Sequence, residues 1–243
     1  MAISRKSKAS IKIGIMQPYL FPYLGYFQLI NLVDKFIIHD DVQYIKGGWI
    51  NRNRILLNNK DLLFTFSIKK DAFSLPINQR VFASNIPEVK QKFLSLLYEA
   101  YHKAPYFSSI QHLVKNILSY PDDNISSFIT HSLIMICSYT NITTPFILSS
   151  QIEKDNLLKG QERVIALNLV MKSTHYINPI GGIDLYTKKE FEYHNLKLNF
   201  IKMRNIKYKQ FNDKFIPCLS ILDVLMFNSL ESVKLMLLEY DLV

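Results

Sequence analysis

The chain has 243 residues, with 29 basic and 20 acidic side chains and a formal net charge of +9. The length suits a single large α/β domain that buries its own core. The lysines and arginines are scattered among acidic residues, a pattern that argues against a nucleic-acid-binding protein and favours an anionic small-molecule substrate. The longest apolar runs are interrupted by charged or amide side chains, which argues against a transmembrane segment.

Two features favour a cytoplasmic protein. The cysteines, Cys137 and Cys218, lie far apart in apolar surroundings, as reduced thiols do. The first ten residues, MAISRKSKAS, are basic and small, and the segment after them lacks the clean apolar stretch of a signal peptide. We therefore predict a flexible basic tail over residues 1–10 and a single domain over residues 11–243.

The first elements along the chain predict a βαβ unit. The segment IKIGIMQP is typical of a buried strand that stops at Pro18, GYFQLINLVDK fits a buried helix, and KFIIHDDVQYI fits a second strand. A strand, a loop rich in proline and glycine, a helix and a strand in close succession favour a parallel sheet with a Rossmann-like start.

The remaining elements extend this α/β pattern. Strands are predicted in DLLFTFSIKK, INQRVFAS, TPFILSS, THYINPIGGIDLY and LKLNFIK. Residues 86–141 are predicted to form a mainly helical insertion, because apolar residues recur at helical spacing after Pro87. A helix over GQERVIALNLVMKS and two C-terminal helices over SILDVLMFNSLESVKLMLLEY complete the prediction.

Candidate site residues follow the predicted strands, because ligands of open α/β sheets bind at the carboxyl edge. Asp40 and Asp41 come directly after FIIH, and either carboxylate is a candidate general base, although Asp41 has turn capping as an equal alternative. Lys46, in KGGWINRNR, is a candidate catalytic cation. The predicted substrate-binding residues are Gln17, Tyr19, Tyr23, Tyr26, Trp49, Asn51, Arg52, Asn53, Ser149, Tyr208 and Gln210.

Several of these residues have structural alternatives. Trp49 can stack on a base or sugar ring, but packing in the core beneath the loop is at least as common a role for a tryptophan. Asn51 and Asn53 suit hydroxyl recognition or bonds to their own backbone. Ser220 and Asp223, in SILD, are better explained as a helix capping box than as site residues.

Other catalytic chemistries lack their signatures. The six histidines, at positions 39, 102, 112, 131, 175 and 194, show no metal-binding spacing, so no metal is predicted. There is no G-x-S-x-G for a serine hydrolase and no GxGxxG for a dinucleotide site. Cys137 lies in a predicted buried helix, which argues against a thiol nucleophile.

A long stretch near the start resembles a known family. The segment MQPYLFPYLGYFQLINLVDKFIIHDDVQYIKGGWINRNRI is similar to the opening of the WbqC-like family, whose members occur among enzymes that build O-antigens, the outer part of lipopolysaccharide, and other bacterial surface glycans. YHKAPYF, INPIGGIDLY and YKQFNDKFIPCLSILD extend the resemblance over nearly the whole chain. The resemblance implies a role in the synthesis of such glycans.

A second and more distant resemblance concerns YLGY, Tyr23 to Tyr26. This segment is placed where nucleotidylyltransferases of the pantothenate-synthetase type carry a His-x-Gly-His turn. The resemblance implies a nucleotidylyltransferase-like fold. Tyrosine, whose reference pKa is about 10, can hydrogen-bond a phosphate but cannot supply a cationic imidazole at neutral pH.

These observations predict a transferase that places an acyl or aminoacyl group on a nucleotide-linked amino sugar. The donor would be an activated acyl group on coenzyme A or on an acidic acyl carrier protein. One alternative is an ATP-dependent nucleotidyl transferase or ligase. Another is a scaffold without catalysis that binds glycan enzymes or a carrier protein through its helical part. The oligomeric state is left open.

Overall fold

The computed structural model describes residues 10–243, so the predicted basic tail, apart from Ser10, lies outside the described residues. The strands are β1 (Lys12–Met16), β2 (Lys35–Ile38), β3 (Arg52–Leu57), β4 (Lys60–Thr65), β5 (Phe146–Leu148), β6 (His175–Pro179), β7 (Lys197–Met203) and β8 (Tyr240–Leu242). The α-helices are α1 (Leu24–Leu32), α2 (Ile86–Tyr101), α3 (Phe107–Leu118), α4 (Ile125–Tyr139), α5 (Gly160–Val170), α6 (Lys188–Tyr193), α7 (Ile221–Phe227) and α8 (Leu230–Met236).

The main sheet has six strands in the order β5-β2-β1-β6-β7-β8. The first five are parallel, and β8 is antiparallel to β7. The chain builds outward from β1 in one direction through β2 and β5, and in the other through β6 and β7. The prediction of an α/β fold with a mostly parallel, Rossmann-like sheet is confirmed, and the order of strands reverses between β1 and β6.

Helices cover both faces of this sheet because its central strands are apolar on both sides. Ile13, Ile15 and Ile37 belong to one core, with side chains from α5 and α6. Phe36 faces the other and larger core, which includes α1 and the helices α2 to α4. Gly14 lets α1 lie close to β1, since a Cβ there would stand 3.2 Å from Leu29 Cγ.

The segment after β2 differs from its prediction. Residues predicted as a site loop form β3, which pairs with β4 in a separate antiparallel hairpin. Its turn residues, Asn58 and Asn59, both have positive φ, as two-residue hairpin turns require. The segment INQRVFAS, predicted as a strand, contains a short 3₁₀ turn at Ile77–Gln79 and isolated bridges instead. α6 and β8 were not predicted.

The helical segment follows its prediction closely. Helices α2, α3 and α4 fall within residues 86–141, and Pro87 lies in the first turn of α2. None of the helices within residues 10–243 has the length and apolar character needed to cross a membrane.

One buried hydroxyl group joins three elements. Tyr101, on α2, is fully buried and donates a hydrogen bond of 2.8 Å to Asp223 on α7. The same hydroxyl accepts a bond of 2.8 Å from the backbone N–H of Leu56 on β3. Tyr101 therefore ties the hairpin to the helices.

The variant Tyr101→Phe is expected to lower the free energy of unfolding by about 1–3 kcal/mol, because it leaves the Leu56 N–H unpaired in the interior. Chemical denaturation measures this loss. The matched control is Tyr98→Phe on the same helix, where the tyrosine is 56% exposed. Equal stability of the two variants would contradict the structural role of the Tyr101 hydroxyl.

Candidate functional site

A cavity of about 420 Å³ lies at the carboxyl edge of the sheet, where the strand order reverses. We call it the switch-point cavity. Gln17 follows β1 and borders it, and the backbone of β6 and the turn after it supply the facing wall. This is the position at which open α/β sheets bind ligands. Its principal lining residues are Met16, Gln17, His39, Asn178, Gly182 and Tyr186.

The turn after β6 is shaped by contacts around Asn178. This side chain accepts a hydrogen bond of 2.8 Å from Tyr176 and donates one of 2.9 Å to the Pro179 carbonyl. A Cβ on Gly182 would collide with the Asn178 amide, whereas one on Gly181 would meet open space. Gly182 therefore has to be glycine for this wall to keep its shape.

His39 is the titratable residue of the switch-point cavity with the most unusual environment. Its Nε2 atom is buried, makes no hydrogen bond, and lies 3.9 Å from Asp41 Oδ1. Burial lowers the pKa of His39 to about 4, and the positive charges of Arg163 and Lys154 act in the same direction. The imidazole is therefore neutral at physiological pH.

Asp41 is held by two cations in what we call the buried ion cluster. Lys154 Nζ lies 2.6 Å and Arg163 Nη2 lies 2.7 Å from its Oδ2 atom. Burial acts to raise the pKa of Asp41, but the hydrogen bond from Lys154 and the charge of Arg163 prevail, so the pKa lies below its ordinary value. A carboxylate stabilised in this way is a poor proton acceptor.

Asp40 lies on the other side of the chain from His39, as successive residues of an extended segment do. It is 1% exposed and accepts two hydrogen bonds from Ser150, one from the backbone N–H at 2.9 Å and one from the hydroxyl at 2.7 Å. Asp40 borders a second cavity, also of about 420 Å³, between this edge of the sheet and α4. Ser149, which directly follows β5 and precedes Ser150, is fully buried.

The predicted aromatic and cationic residues form an exposed cluster. Trp49 is 44% exposed, and the guanidinium carbons of Arg52 and Arg54 each lie 5.5 Å from its ring centre. The Tyr19 ring is 6.2 Å from Trp49. We call Tyr19, Trp49, Arg52 and Arg54 the aromatic–cationic cluster. Lys46 lies exposed in the preceding loop.

A chain of contacts joins this cluster to the switch-point cavity. The Tyr19 ring lies 6.1 Å from that of Tyr26, which donates a hydrogen bond of 2.9 Å to the Gln17 carbonyl. Tyr26 is itself 1% exposed, so its contribution is to hold Gln17 in place. Tyr23 is half-buried, and its ring lies against Gly25, where a Cβ would collide with it.

Two other predicted binding residues, Asn51 and Asn53, make hydrogen bonds inside the protein. Asn51 accepts a bond from Tyr44 and donates one to the Phe66 carbonyl. Asn53 is 1% exposed and donates to the Phe21 carbonyl. These contacts assign both asparagines a structural role.

Tyr208 and Gln210 converge on Asp223, at 2.6 Å and 2.8 Å. Ser220 caps α7 as predicted, through a bond from the Leu222 N–H. Asp223, however, serves as the acceptor for these side chains and for Tyr101 instead of completing a capping box. All of these groups are used in packing the C-terminal helices.

Sequence reasoning missed several residues that the structure brings to the site. His39 precedes the two predicted acids, and Asn178 and Gly182 lie in INPIGGIDLY, a segment predicted as part of a strand and matched to the family but not proposed as part of the site. Lys154 and Arg163 carried no local signal, because only the fold brings them to Asp41. Among residues 10–243, no three histidine, cysteine or acidic side chains are grouped so as to hold a metal ion.

Comparisons with known proteins match most of the chain. A family model described as the WbqC-like protein family matches residues 17–235. An uncharacterized protein of Mycobacterium tuberculosis, Rv1507c, is 31% identical over 219 residues, which are 88% of this chain and 92% of that protein. No solved structure gives a significant match, and the resemblance to nucleotidylyltransferases stays a prediction. The chain belongs to the WbqC-like protein family, and this membership suggests a role related to glycan biosynthesis.

Proposed function

We propose that the protein is a transferase of bacterial surface-glycan biosynthesis, which moves an acyl or aminoacyl group to the amine of a nucleotide-linked amino sugar. The observation that carries this proposal is the switch-point cavity, which has a neutral histidine in its wall and a cationic surface connected to it. Its volume of about 420 Å³ falls within the range of small-molecule sites.

In the proposed reaction the sugar amine attacks the carbonyl carbon of an acyl thioester. A C–N bond forms, the C–S bond breaks, and the departing thiolate leaves with the donor. His39 accepts the proton that the amine loses and passes it to the thiolate. Positioning of the two substrates and this proton transfer supply the rate increase.

The pKa of His39 has to rise for this role, because an imidazole with a pKa of about 4 is a weak base. The Asp41 carboxylate already acts in that direction. A bound diphosphate would add a second negative charge and stabilise the imidazolium further. Substrate binding would thus move the pKa of His39 toward the working pH.

The aromatic–cationic cluster suits the nucleotide part of the substrate. The exposed face of Trp49 can stack on a base, and Arg52 and Arg54 offer charge for phosphate oxygens. Lys46 lies in the same loop and adds to the attraction. The contacts through Tyr19 and Tyr26 connect this surface to Gln17 and support the proposal.

The direct test combines the purified protein with nucleotide-linked amino sugars and acyl thioesters, both coenzyme A and carrier-protein forms, and detects the amide by mass spectrometry. Formation of an amide only with the protein present is the expected result. Absence of amide together with release of pyrophosphate from ATP would indicate the nucleotidyl transferase or ligase instead. Absence of both would favour the scaffold.

The variant Gly182→Ala is expected to weaken nucleotide-sugar binding at least about tenfold, because the added methyl group displaces the Asn178 amide into the cavity wall. Isothermal titration calorimetry measures the affinity. Gly181→Ala adds the same methyl group to open space and is expected to cause the smaller loss. Equal losses in the two variants would show that the shape of this wall does not determine binding.

A further inference from the structure

The cavity beside Asp40 has a lining of a different chemistry. Ser126 and Thr130 lie one turn apart on α4 and face it together, and Asn78 faces it from the segment after β4. Ser150 and Asp40 complete the polar side. We call it the hydroxyl-lined cavity.

Three polar atoms on this lining are buried and lack hydrogen-bond partners: Asn78 Oδ1, Ser126 Oγ and Thr130 Oγ1. Ser126 as a whole is only 2% exposed. A buried polar atom without a hydrogen-bond partner is unfavourable, so unpaired atoms that border a cavity gain free energy when a ligand there binds them. Their grouping around one cavity points to a ligand rich in hydroxyl or amide groups.

The rest of the lining includes apolar and aromatic side chains. The ring of Tyr120 stacks on His131, with centroids 4.1 Å apart and planes 10° apart, and Ile134 and Leu148 also line the cavity. Burial lowers the pKa of His131, so its ring is neutral at physiological pH. A pyranose ring has the matching character, because its C–H groups form an apolar face and its hydroxyl groups point outward.

The charge of the lining selects against anions. No lysine or arginine is found among the described residues that line the hydroxyl-lined cavity, and Asp40 brings a carboxylate. Ser150 donates one hydrogen bond to each Asp40 oxygen, which leaves lone pairs free to accept from further hydroxyl groups. The aromatic–cationic cluster, by contrast, offers two guanidinium groups.

We infer that the hydroxyl-lined cavity is a binding site for an uncharged saccharide, separate from the switch-point cavity. Asp40, Asn78, Ser126 and Thr130 bind its hydroxyl groups, and the Tyr120–His131 pair supports its apolar face. His39 and Asp40, which are consecutive in the chain, then face two different ligands.

Saccharide binding is tested by saturation-transfer NMR and titration of the full chain with glucose, galactose and N-acetylglucosamine, with glucose 6-phosphate as the charged comparison. We expect at least one neutral sugar to bind at millimolar concentrations, and more tightly than the phosphate. The variant Ser126→Ala should weaken that binding about tenfold, since it removes a hydrogen bond made in a buried site.

Ser132→Ala is the matched control. Ser132 is on the same helix, is fully buried and also has an unpartnered hydroxyl, but it does not line the cavity. Removing an unpaired buried hydroxyl should leave the melting temperature of either ligand-free variant unchanged or higher. Only Ser126→Ala should lose sugar binding.

The inference is overturned if none of the three neutral sugars binds, if glucose 6-phosphate binds more tightly than glucose, or if Ser132→Ala loses as much affinity as Ser126→Ala. The measurement uses neither a nucleotide nor an acyl donor. Its failure would therefore leave the proposed transfer in the switch-point cavity untouched, and the reverse also holds.

Discussion

Replacing Asp41 with asparagine is expected to lower the free energy of unfolding by about 3–5 kcal/mol, because the change leaves two buried cations without a counter-charge. The side chains of Lys154 and Arg163 are 2% and 9% exposed. Together they connect the end of β2 to the segment after β5 and to α5. For a chain of this size the loss corresponds to a fall in melting temperature of roughly 6–20 °C.

The exposed pair of Arg54 and Asp61 supplies the comparison. Its N–O distance is 3.0 Å, but its side chains are 35% and 45% exposed. Asp61→Asn should therefore change stability by less than about 1 kcal/mol. If Asp41→Asn is no more destabilising than Asp61→Asn, the buried ion cluster does not hold these elements together.

A double-mutant cycle separates the lost attraction from the cost of the stranded charge. Adding Lys154→Met to Asp41→Asn removes one unpaired buried ammonium, so part of the lost stability should return. The pH dependence has a defined sign. Because the pKa of Asp41 lies below its ordinary value, its contribution is present at neutral pH and is lost as the pH falls through the lowered pKa.

Replacing His39 with glutamine is expected to reduce the proposed amide formation about 10²–10⁴-fold, the typical contribution of a general base. The fall should lie in kcat, since glutamine keeps a polar group of similar size in the cavity wall. His112→Gln, at an exposed position on α3, is the control. If Asp40→Asn abolishes amide formation and His39→Gln does not, the base is Asp40.

His39 is also expected to affect how the stability of the wild-type protein depends on pH. Its pKa is about 4 in the folded protein and 6.5 ordinarily, so the unfolded chain takes up a proton first as the pH falls. Stability from this residue is complete above pH 6.5 and declines by about 3 kcal/mol as the pH falls to about 4. In His39→Gln the part of the decline that His39 causes should disappear, as urea unfolding of both proteins at several pH values can measure.

A titration with substrate distinguishes catalysis from a purely structural role. The proposed function requires the pKa of His39 to rise when a nucleotide sugar binds, which NMR of the imidazole protons can follow. An unchanged pKa in the saturated complex would remove His39 as the base. The pH dependence of stability described above would stand in either case, because it depends on the environment of His39 in the ligand-free protein.

The main elements could be predicted because each has a local cause. Apolar residues recur at the spacing of a strand in KIGIM. They recur at the spacing of a helix after the Pro/Gly loop and over residues 86–141. β3 could not be predicted, because Asn51 and Asn53 read as loop residues. Their burial is possible only where Tyr44, Phe66 and Phe21 supply hydrogen-bond partners.

In the candidate site too, positions could be predicted from local sequence, whereas hydrogen-bond partners could not. The location of Gln17, Asp40 and Asp41 at the carboxyl edge of the sheet was predictable because they follow predicted parallel strands, whose carboxyl ends share one edge. Tyr208 and Gln210 were chosen from local sequence, but the fold turns both toward Asp223. A short segment shows which polar groups are present, whereas the hydrogen-bond partners come from elsewhere in the chain.

The sequence by itself determined the α/β architecture, the position of the first crevice and the family resemblance, since these depend on periodicity and on contiguous motifs. Only the tertiary structure decided that Asp41 is neutralised by Lys154 and Arg163, more than a hundred positions away, and that His39 and Asp40 face separate cavities. Charge pairing, burial and the pKa values that follow from them depend on distance in space, which spacing along the chain does not specify.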